Sequence, residues 1–458
     1  MIRRREVSAR EVMAVFLAQI ARLNPSLNAI VAKLPDERCL ELADAADREL
    51  ASGRTVGPLH GLPIAFKDAE PAAGLMWTNG SPIFKDRVAT DDSVLVERLR
   101  RAGVLPIGKT NISEFTMGSQ TYNRVYGTTR NPWDLTKTAG GSSGGAAAAV
   151  AAGMLPLADG SDLGGSLRNP ASFNNLVALR PSVGLVPNAP VAFPLIEFLA
   201  KGILARSVDD LAFGLTVVAG ENARDPRTWP SAADLFSVPF ARQVKGLRIA
   251  WCPDLGGLPL DRRVKAVLDT QRHTFESLGC IVEDAAPALR AADEVFVTLR
   301  AWMSAQTLGP LLQQHRSEMK PEAIWQIEIG QRITAEEVGR AMREHASLLE
   351  RMRRFFERNQ FFVCATSQVP PFEADLTWPR DVDGVPMEHY IAWMRSAYWV
   401  SVTLGPAISV PAGFTEDGLP VGVQIVGPSR ADRAVLQLAS AFEAATGLGA
   451  RRAPLAAR

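Results

Sequence analysis

Two glycine–serine clusters stand close together in this 458-residue chain: GGSSGG at residues 140–145 and GSDLGGSLRNP at residues 160–170. Between them lie the alanine-rich run AAAAVAAG, which reads as a helix of small side chains, and MLPLADG (154–160), which reads as a strand. A tight turn against a helix accounts for one such cluster. Two of them, flanking a small-residue helix and a strand, describe a site built from glycine-rich loops, where backbone can approach a substrate closely. In the second cluster the successive N–H groups around Gly164, Gly165 and Ser166 can converge on one point and stabilise an oxyanion.

The rest of the chain alternates helix and strand. GLPIAF (61–66) and VLPIG (104–108) read as strands, and DSVLVERLRRAG (92–103) as a helix ended by Gly103. GLRIAWC (246–252) is a strand followed by the helix RVKAVLDTQRHTFESLG, and residues 285–360 are mostly amphipathic helix. FFVCATS, PAISVPAGF and VGVQIVG are strands, and ADRAVLQLASAFEAATG closes the chain as a helix. This pattern predicts an α/β fold with a covered sheet. Asp417-Gly418 between two strands is a hairpin turn, so the sheet is mixed.

A formal net charge of +1 excludes a broad pull toward nucleic acid or anionic membrane. The four cysteines (Cys39, Cys252, Cys280, Cys364) have no metal-binding spacing and read as reduced, buried thiols. Near the N-terminus, charged residues interrupt the approach to VMAVFLAQI and no small-residue cleavage site follows, so a signal peptide is rejected. A helix fits better. Ser8 and Glu11 make a capping box, Val7 and Val12 a hydrophobic staple, Val12, Phe16, Ile20 and Leu23 share a face, and Pro25 follows the helix end. No apolar run reaches membrane-spanning length, and the chain reads as cytoplasmic.

Three motif matches fail on context. GVLPIGKT (103–110) fits the phosphate-loop pattern, but a helix precedes Gly103 and VLPI is strand-like, so a helix C-cap and a buried strand explain it. GSSGG (141–145) fits a nucleophile elbow around Ser143, but turn-rich TRNPWDLTKTAG precedes it, and His273, His315, His345 and His389 carry no acid-pairing signal. Ser317–Lys320 matches SxxK in a charged stretch that reads as a solvated helix end.

A serine nucleophile needs a base. Lys67 ends the apolar strand GLPIAF; burial there lowers its pKa and lets the neutral amine accept a proton. A surface lysine paired with Asp68 is the alternative. Taken together, Lys67 in GLPIAFKD, Ser142 in AGGSSGG and Ser166 in GSDLGGSLRNP resemble the amidase signature family. The likeness extends through EVSAREVMAVFLAQIARLNPSLNAIVA, IGKTNISEFTMGSQTYNRVYGTTRNPWD and ISVPAGFTEDGLPVGVQIVG, nearly the whole chain.

The resemblance implies a single large α/β domain over 1–458, its central mixed, twisted sheet covered by helices on both faces. It implies a catalytic core at about 55–215 and 400–445 and a variable, mostly helical substrate side at about 285–400. It implies an amidase releasing a carboxylate and ammonia or an amine through a serine acyl-enzyme, with no cofactor and no metal. By family position Ser166 is the nucleophile, Ser142 the bridging serine after a cis peptide bond from Gly141, and Lys67 the ultimate base. The N–H groups of Leu163, Gly164, Gly165 and Ser166 form the oxyanion hole. Ser143 supports the loop through a hydrogen bond. Separately from the resemblance, Asp162 and Arg168 flank the turn, and from those positions they are expected to pair and brace it.

The chain departs from the family pattern at Leu163, Asn174, Asn175 and Ala178, at Ala69-Glu70 after KD, and in KGILAR (201–206), which lacks a proline. None of these touches the triad, but they make it unsafe to transfer a substrate from relatives. The resemblance also implies that the true start lies upstream. Met76 and Trp77 are candidate substrate contacts. Trp302, Trp325, Trp378, Tyr390, Trp393, Tyr398 and Trp399 would suit an aryl or hydrophobic acyl amide, or are ordinary packing residues.

The expected partner is a small-molecule amide, with no nucleic acid and no membrane; a homodimer is left open. The rival readings are the glutamine-hydrolysing component of a tRNA-dependent amidotransferase, a nucleotide-binding protein through 103–110, and an inactive relative that only binds. SLRNP, where the amidotransferase component usually has glutamine before the proline, argues against the first.

Overall fold

The computed structural model describes residues 1–189, 191–193, 198–231, 235–236 and 238–457. The N-terminal helix α1 (Ala9–Leu27) starts at the expected capping box: the Ser8 side chain accepts from the Glu11 N–H, and the Glu11 carboxylate accepts from the Ser8 N–H. Pro25 does not follow this helix; it lies inside the last turn, which ends at Asn28 in the left-handed conformation (φ 51°). The buried stripe is Met13, Leu17, Ile20, Leu23 and Leu27, rotated from the expected Val12–Phe16 face. Val12 still packs against the core edge with Val7.

A three-stranded sheet follows, made of β1 (Ile30–Val31), β2 (Pro63–Lys67) and β3 (Leu105–Thr110), in the order β1-β3-β2. β3 follows α2 (Val94–Arg101) through Gly103, whose φ of +92° is the left-handed turn that ends the helix. The GKT of the phosphate-loop match therefore lies in a strand, with Lys109 fully buried.

The main sheet has eight strands: β4 (Ala158–Asp162), β5 (Val177–Arg180), β6 (Ala200–Ala205), β7 (Arg248–Trp251), β8 (Ile281–Asp284), β9 (Phe361–Ala365), β10 (Ala407–Phe414) and β11 (Pro420–Val426). Their order is β8-β7-β9-β11-β10-β5-β6-β4. β8, β7 and β9 are parallel, and every pairing from β9 to β4 is antiparallel, so the sheet is mixed. The β10–β11 hairpin turns at Asp417-Gly418, where Gly418 has φ +81°.

The strands alternate between two cores, as a period of two requires. Ile408, Val410, Val421, Val423, Phe361 and Val363 face one side, packed with α2 and the closing helix α8 (Asp432–Thr446). Phe362, Cys364, Ala407 and Val426 face the other side, under α5 (Ala292–His315) and α7 (Ala335–Phe356). Both faces are thus covered by helices. On that second side α1 and α3 (Gly144–Ala151), the alanine helix, cover the β4 end.

The structure corrects two local readings and adds three strands not identified from the sequence. The strand expected at 154–160 begins at Ala158. The helix expected at 263–279 is two helices broken at Thr270-Gln271, where the Gln271 amide reaches across to the Ala412 carbonyl of β10 (2.8 Å). The strands at 177–180, 200–205 and 281–284 carry little periodicity of their own and are set by pairing.

Candidate active site

Three segments converge at the top of β4: the end of β2, the turn entering α3, and the turn leaving β4. All five residues of β2 are buried, so Lys67 enters the interior with no exposed surface. Its Nζ donates to Ser142 Oγ (2.9 Å), Ser143 Oγ (2.8 Å) and Ser161 Oγ (2.9 Å). Lys67 is not paired with Asp68, whose carboxylate is taken by Thr78 and Gly80. Burial pushes the Lys67 amine down to about 8, against the opposing pull of Asp159, Glu70 and Asp162. Asp159 accepts the backbone N–H of Lys67 (3.0 Å), and burial followed by the neighbouring Glu70 pushes its own carboxyl up to about 7.

The peptide bond between Gly141 and Ser142 is cis, as the resemblance implied. Ser119 donates to the Gly141 carbonyl, and Thr121 Oγ1 accepts the Gly144 N–H (3.1 Å), pinning the loop. The close approach explains a glycine: a Cβ at Gly145 would collide with the Asn111 backbone nitrogen. Ser143 does more than brace the loop. Its N–H meets the Ser166 carbonyl (3.3 Å), and its hydroxyl is one of the three around Lys67.

The turn after β4 is organised by Asp162. Its carboxylate accepts from the N–H of Gly165 (2.7 Å), Leu167 (3.2 Å) and Arg168 (3.3 Å) and is gripped by Arg168 through Nε and NH2, both at 2.9 Å. Arg168 is held in turn by Gln424 and Ser401. Burial alone would raise Asp162, but Arg168 and Arg180 outweigh it and hold the carboxyl well below its ordinary range.

This geometry changes the oxyanion expectation at one residue: the Gly165 N–H is already spent on Asp162. The N–H groups of Leu163, Gly164 and Ser166 have no acceptor among the described residues. The Ser166 hydroxyl likewise hydrogen-bonds to none of them, and the residue keeps 8% of its surface exposed. The expected Ser142–Ser166 link is therefore not closed in this structure.

Sequence reasoning missed Ser161 and Asp159, although both lie within the quoted second cluster or next to it. The only available signal was their parity along β4, which turns Asp159 and Ser161 to the same side. It also misread Lys320. That residue is not at a solvated helix end; it is 5% exposed at the start of α6 (Pro321–Arg332), where its Nζ donates to the Met117 carbonyl and burial pushes it down to about 8. The four histidines stay away from the serines: His315 lies against Glu318, His345 on the Val402 carbonyl, His389 against Trp325, and His273 is exposed. All four cysteines are free and buried. Among the described residues, no cluster of ligands could hold a metal, and no helix is long and apolar enough to cross a membrane.

Two cavities adjoin the site and share Phe115, Thr116, Leu199 and Thr307 in their walls. One, of about 380 Å³, contains Ser161, Trp77, Glu70 and Lys201; the other, of about 260 Å³, contains Leu163, Met303 and Arg300. Trp77 lines the first, as expected, but Met76 lines neither and bridges instead to Val88. The expected aromatic wall from 285–400 is also absent from both linings. Tyr390, Trp393, Tyr398 and Trp399 pack in the core beneath the sheet, because their area is worth more there than at a polar turn.

A mixed sheet covered on both faces, with a serine-rich site around a buried lysine, defines the α/β class of amide-bond hydrolases to which known proteins tie the chain. The family model Amidase matches residues 11–436. An acylamidase of Rhodococcus erythropolis is 35% identical over 442 residues, spanning 96% of this chain and 92% of the relative. The A component of the glutamyl-tRNA(Gln) amidotransferase of Symbiobacterium thermophilum is 33% identical, with 96% and 94% covered. The structure of a bacterial aryl acylamidase of the amidase signature family superposes with a TM-score of 0.91 at 28% identity, covering 98% of this chain and 97% of the other. The chain belongs to the amidase family, as an amidase signature enzyme that hydrolyses amide C–N bonds.

Proposed function

We propose that this amidase works through a Ser166 acyl-enzyme, with Ser142 as the bridging hydroxyl and Lys67 as the base. Neutral Lys67 takes the Ser142 proton as Ser142 takes the proton of Ser166, and the Ser166 Oγ–carbon bond forms. The N–H groups of Leu163, Gly164 and Ser166 receive the oxyanion. Collapse breaks the C–N bond, and the proton returns from Lys67 through Ser142 to the leaving nitrogen. Water then follows the same route and releases the carboxylate.

The observation that carries this reading is a lysine with no exposed surface, 2.9 Å from Ser142, with its pKa brought to about 8. The open Ser142–Ser166 link must close when substrate is bound, as catalytic hydrogen bonds commonly do. Asp162 and Arg168 fix the turn, and Ser143 and Ser161 hold the lysine amine in place. The catalytic core is assigned to about 55–215 and 400–445 and the substrate side to about 285–400, in a cytoplasmic enzyme.

Treatment with a fluorophosphonate and peptide mapping tests the assignment. A single adduct on Ser166, lost or much slowed in Lys67→Ala, is expected; an adduct on Ser143 overturns it. Amidotransferase components at up to 33% identity keep a second reading in view, in which glutamine is hydrolysed for a partner complex. Amide turnover by the purified chain alone, with no tightly associated protein on pull-down, separates the two.

A further inference from the structure

The cavity of about 260 Å³ beside Leu163 is apolar along most of its wall, with Phe115, Met117, Leu199, Met303 and Leu308. One charged group breaks that wall, Arg300 of α5, which is 8% exposed. Its partners are both neutral: it donates to Gln326 Oε1 and to the Tyr390 hydroxyl (2.7 Å). No carboxylate among the described residues lies within ion-pair distance of it. Elsewhere in this interior the buried arginines are neutralised, Arg168 and Arg180 by Asp162. A desolvated guanidinium left without a counter-charge is costly, and its planar fork matches a carboxylate.

Its position ties it to the reaction. Phe296, one helical turn earlier on α5, packs on Gly164, where an added Cβ would lie 2.8 Å from the phenylalanine ring. Arg300 is thus a turn away from the oxyanion segment. The neighbouring cavity contains Ser161, which touches Lys67. The Arg300 cavity contains Leu163, so it is the one that borders the oxyanion segment directly.

We infer that Arg300 binds a carboxylate at the far end of the acyl group, so that the preferred substrates are half-amides of short dicarboxylic acids. This rests on the assignment of Ser166 as nucleophile. Gln326 sets the charge: a glutamate there would neutralise Arg300 without changing the packing.

The test follows fluorophosphonate labelling of Ser166 in competition with malonamate through adipamate, each set against its uncharged diamide. Rates are taken relative to each variant's own uncompeted rate. In the wild type at least one half-amide should protect about tenfold better than its diamide. Arg300→Gln and Gln326→Glu should both abolish that difference, and Arg300→Lys should keep part of it. Equal protection by the diamides, or a preference that survives in Gln326→Glu, overturns the proposal. If Ser166 is not labelled even without competitor, the nucleophile assignment itself falls, a result distinct from labelling that ignores charge.

Discussion

Lys67 shows how far a single residue's chemistry depends on its surroundings. At its ordinary pKa it would be protonated at neutral pH and useless as a base; burial brings it to about 8. The proton-accepting form is the neutral amine, whose share grows as pH rises. The kcat/KM of the enzyme should therefore climb through about pH 8 and level off above it. Asp159 is ionised over most of that range and holds the Lys67 proton on. Asp159→Asn keeps an acceptor for the Lys67 N–H and removes the charge, so the rising limb should move to lower pH; a limb that stays in place would show that Asp159 does not tune the lysine. Arg168 is the other residue on which much rests. Arg168→Ala leaves Asp162 buried with only the more distant Arg180 (3.8 Å), and should cost about 3–5 kcal/mol in urea unfolding along with most of the activity. Lys67, Ser142 and Ser166 were singled out through the likeness of their segments to the amidase signature family. Ser161 and Asp159 were not, because no local pattern distinguishes a strand residue that faces a lysine some ninety positions away from one that faces the core.

At the scale of elements, the local signals transferred well where the physics is local. The capping box of α1, the Gly103 stop after α2 and the Asp417-Gly418 hairpin each depend on residues within a few positions. The failures are where packing overrides local pattern. A proline was accommodated inside the last turn of α1, and one apparent helix was broken at Thr270-Gln271 by a contact with β10. The glycines that open α3 are required by contact with neighbouring segments. Gly145→Ala should cost about 1–3 kcal/mol by urea unfolding, because its methyl would press on the Asn111 backbone, which has no flexible side chain to move aside. Phe115 and Thr116, both with φ above +50°, hold the segment that walls both cavities, so a non-glycine backbone is kept in an unfavourable conformation beside the site.

For the whole molecule, the cysteines give a direct measure of how closed the two cores are. All four are buried and free, so a thiol reagent such as DTNB should find almost none in the native protein and four after unfolding in denaturant; rapid native labelling would show an opening that the packing does not predict. The clearest long-range result joins one departure from the family pattern, Glu70, to a lysine in the segment that holds another. Glu70 follows the Lys67-Asp68 pair and Lys201 begins KGILAR; folded, they are a buried ion pair at 2.7 Å in the wall of the larger cavity. Each charge makes the other tolerable in the interior, and nothing in either segment alone announces its partner 131 positions away. By itself, the sequence determined the fold class, the helix ends and the hairpin, because these follow from periodicity and caps; the proposed triad came from the likeness of its motifs to the amidase signature family. Only the tertiary structure decided which hydroxyls surround Lys67, which backbone N–H is already spent on Asp162, and that Arg300 has no carboxylate partner among the described residues. Those outcomes depend on burial and on distances between segments far apart in the chain, and both exist only once the sheet has closed.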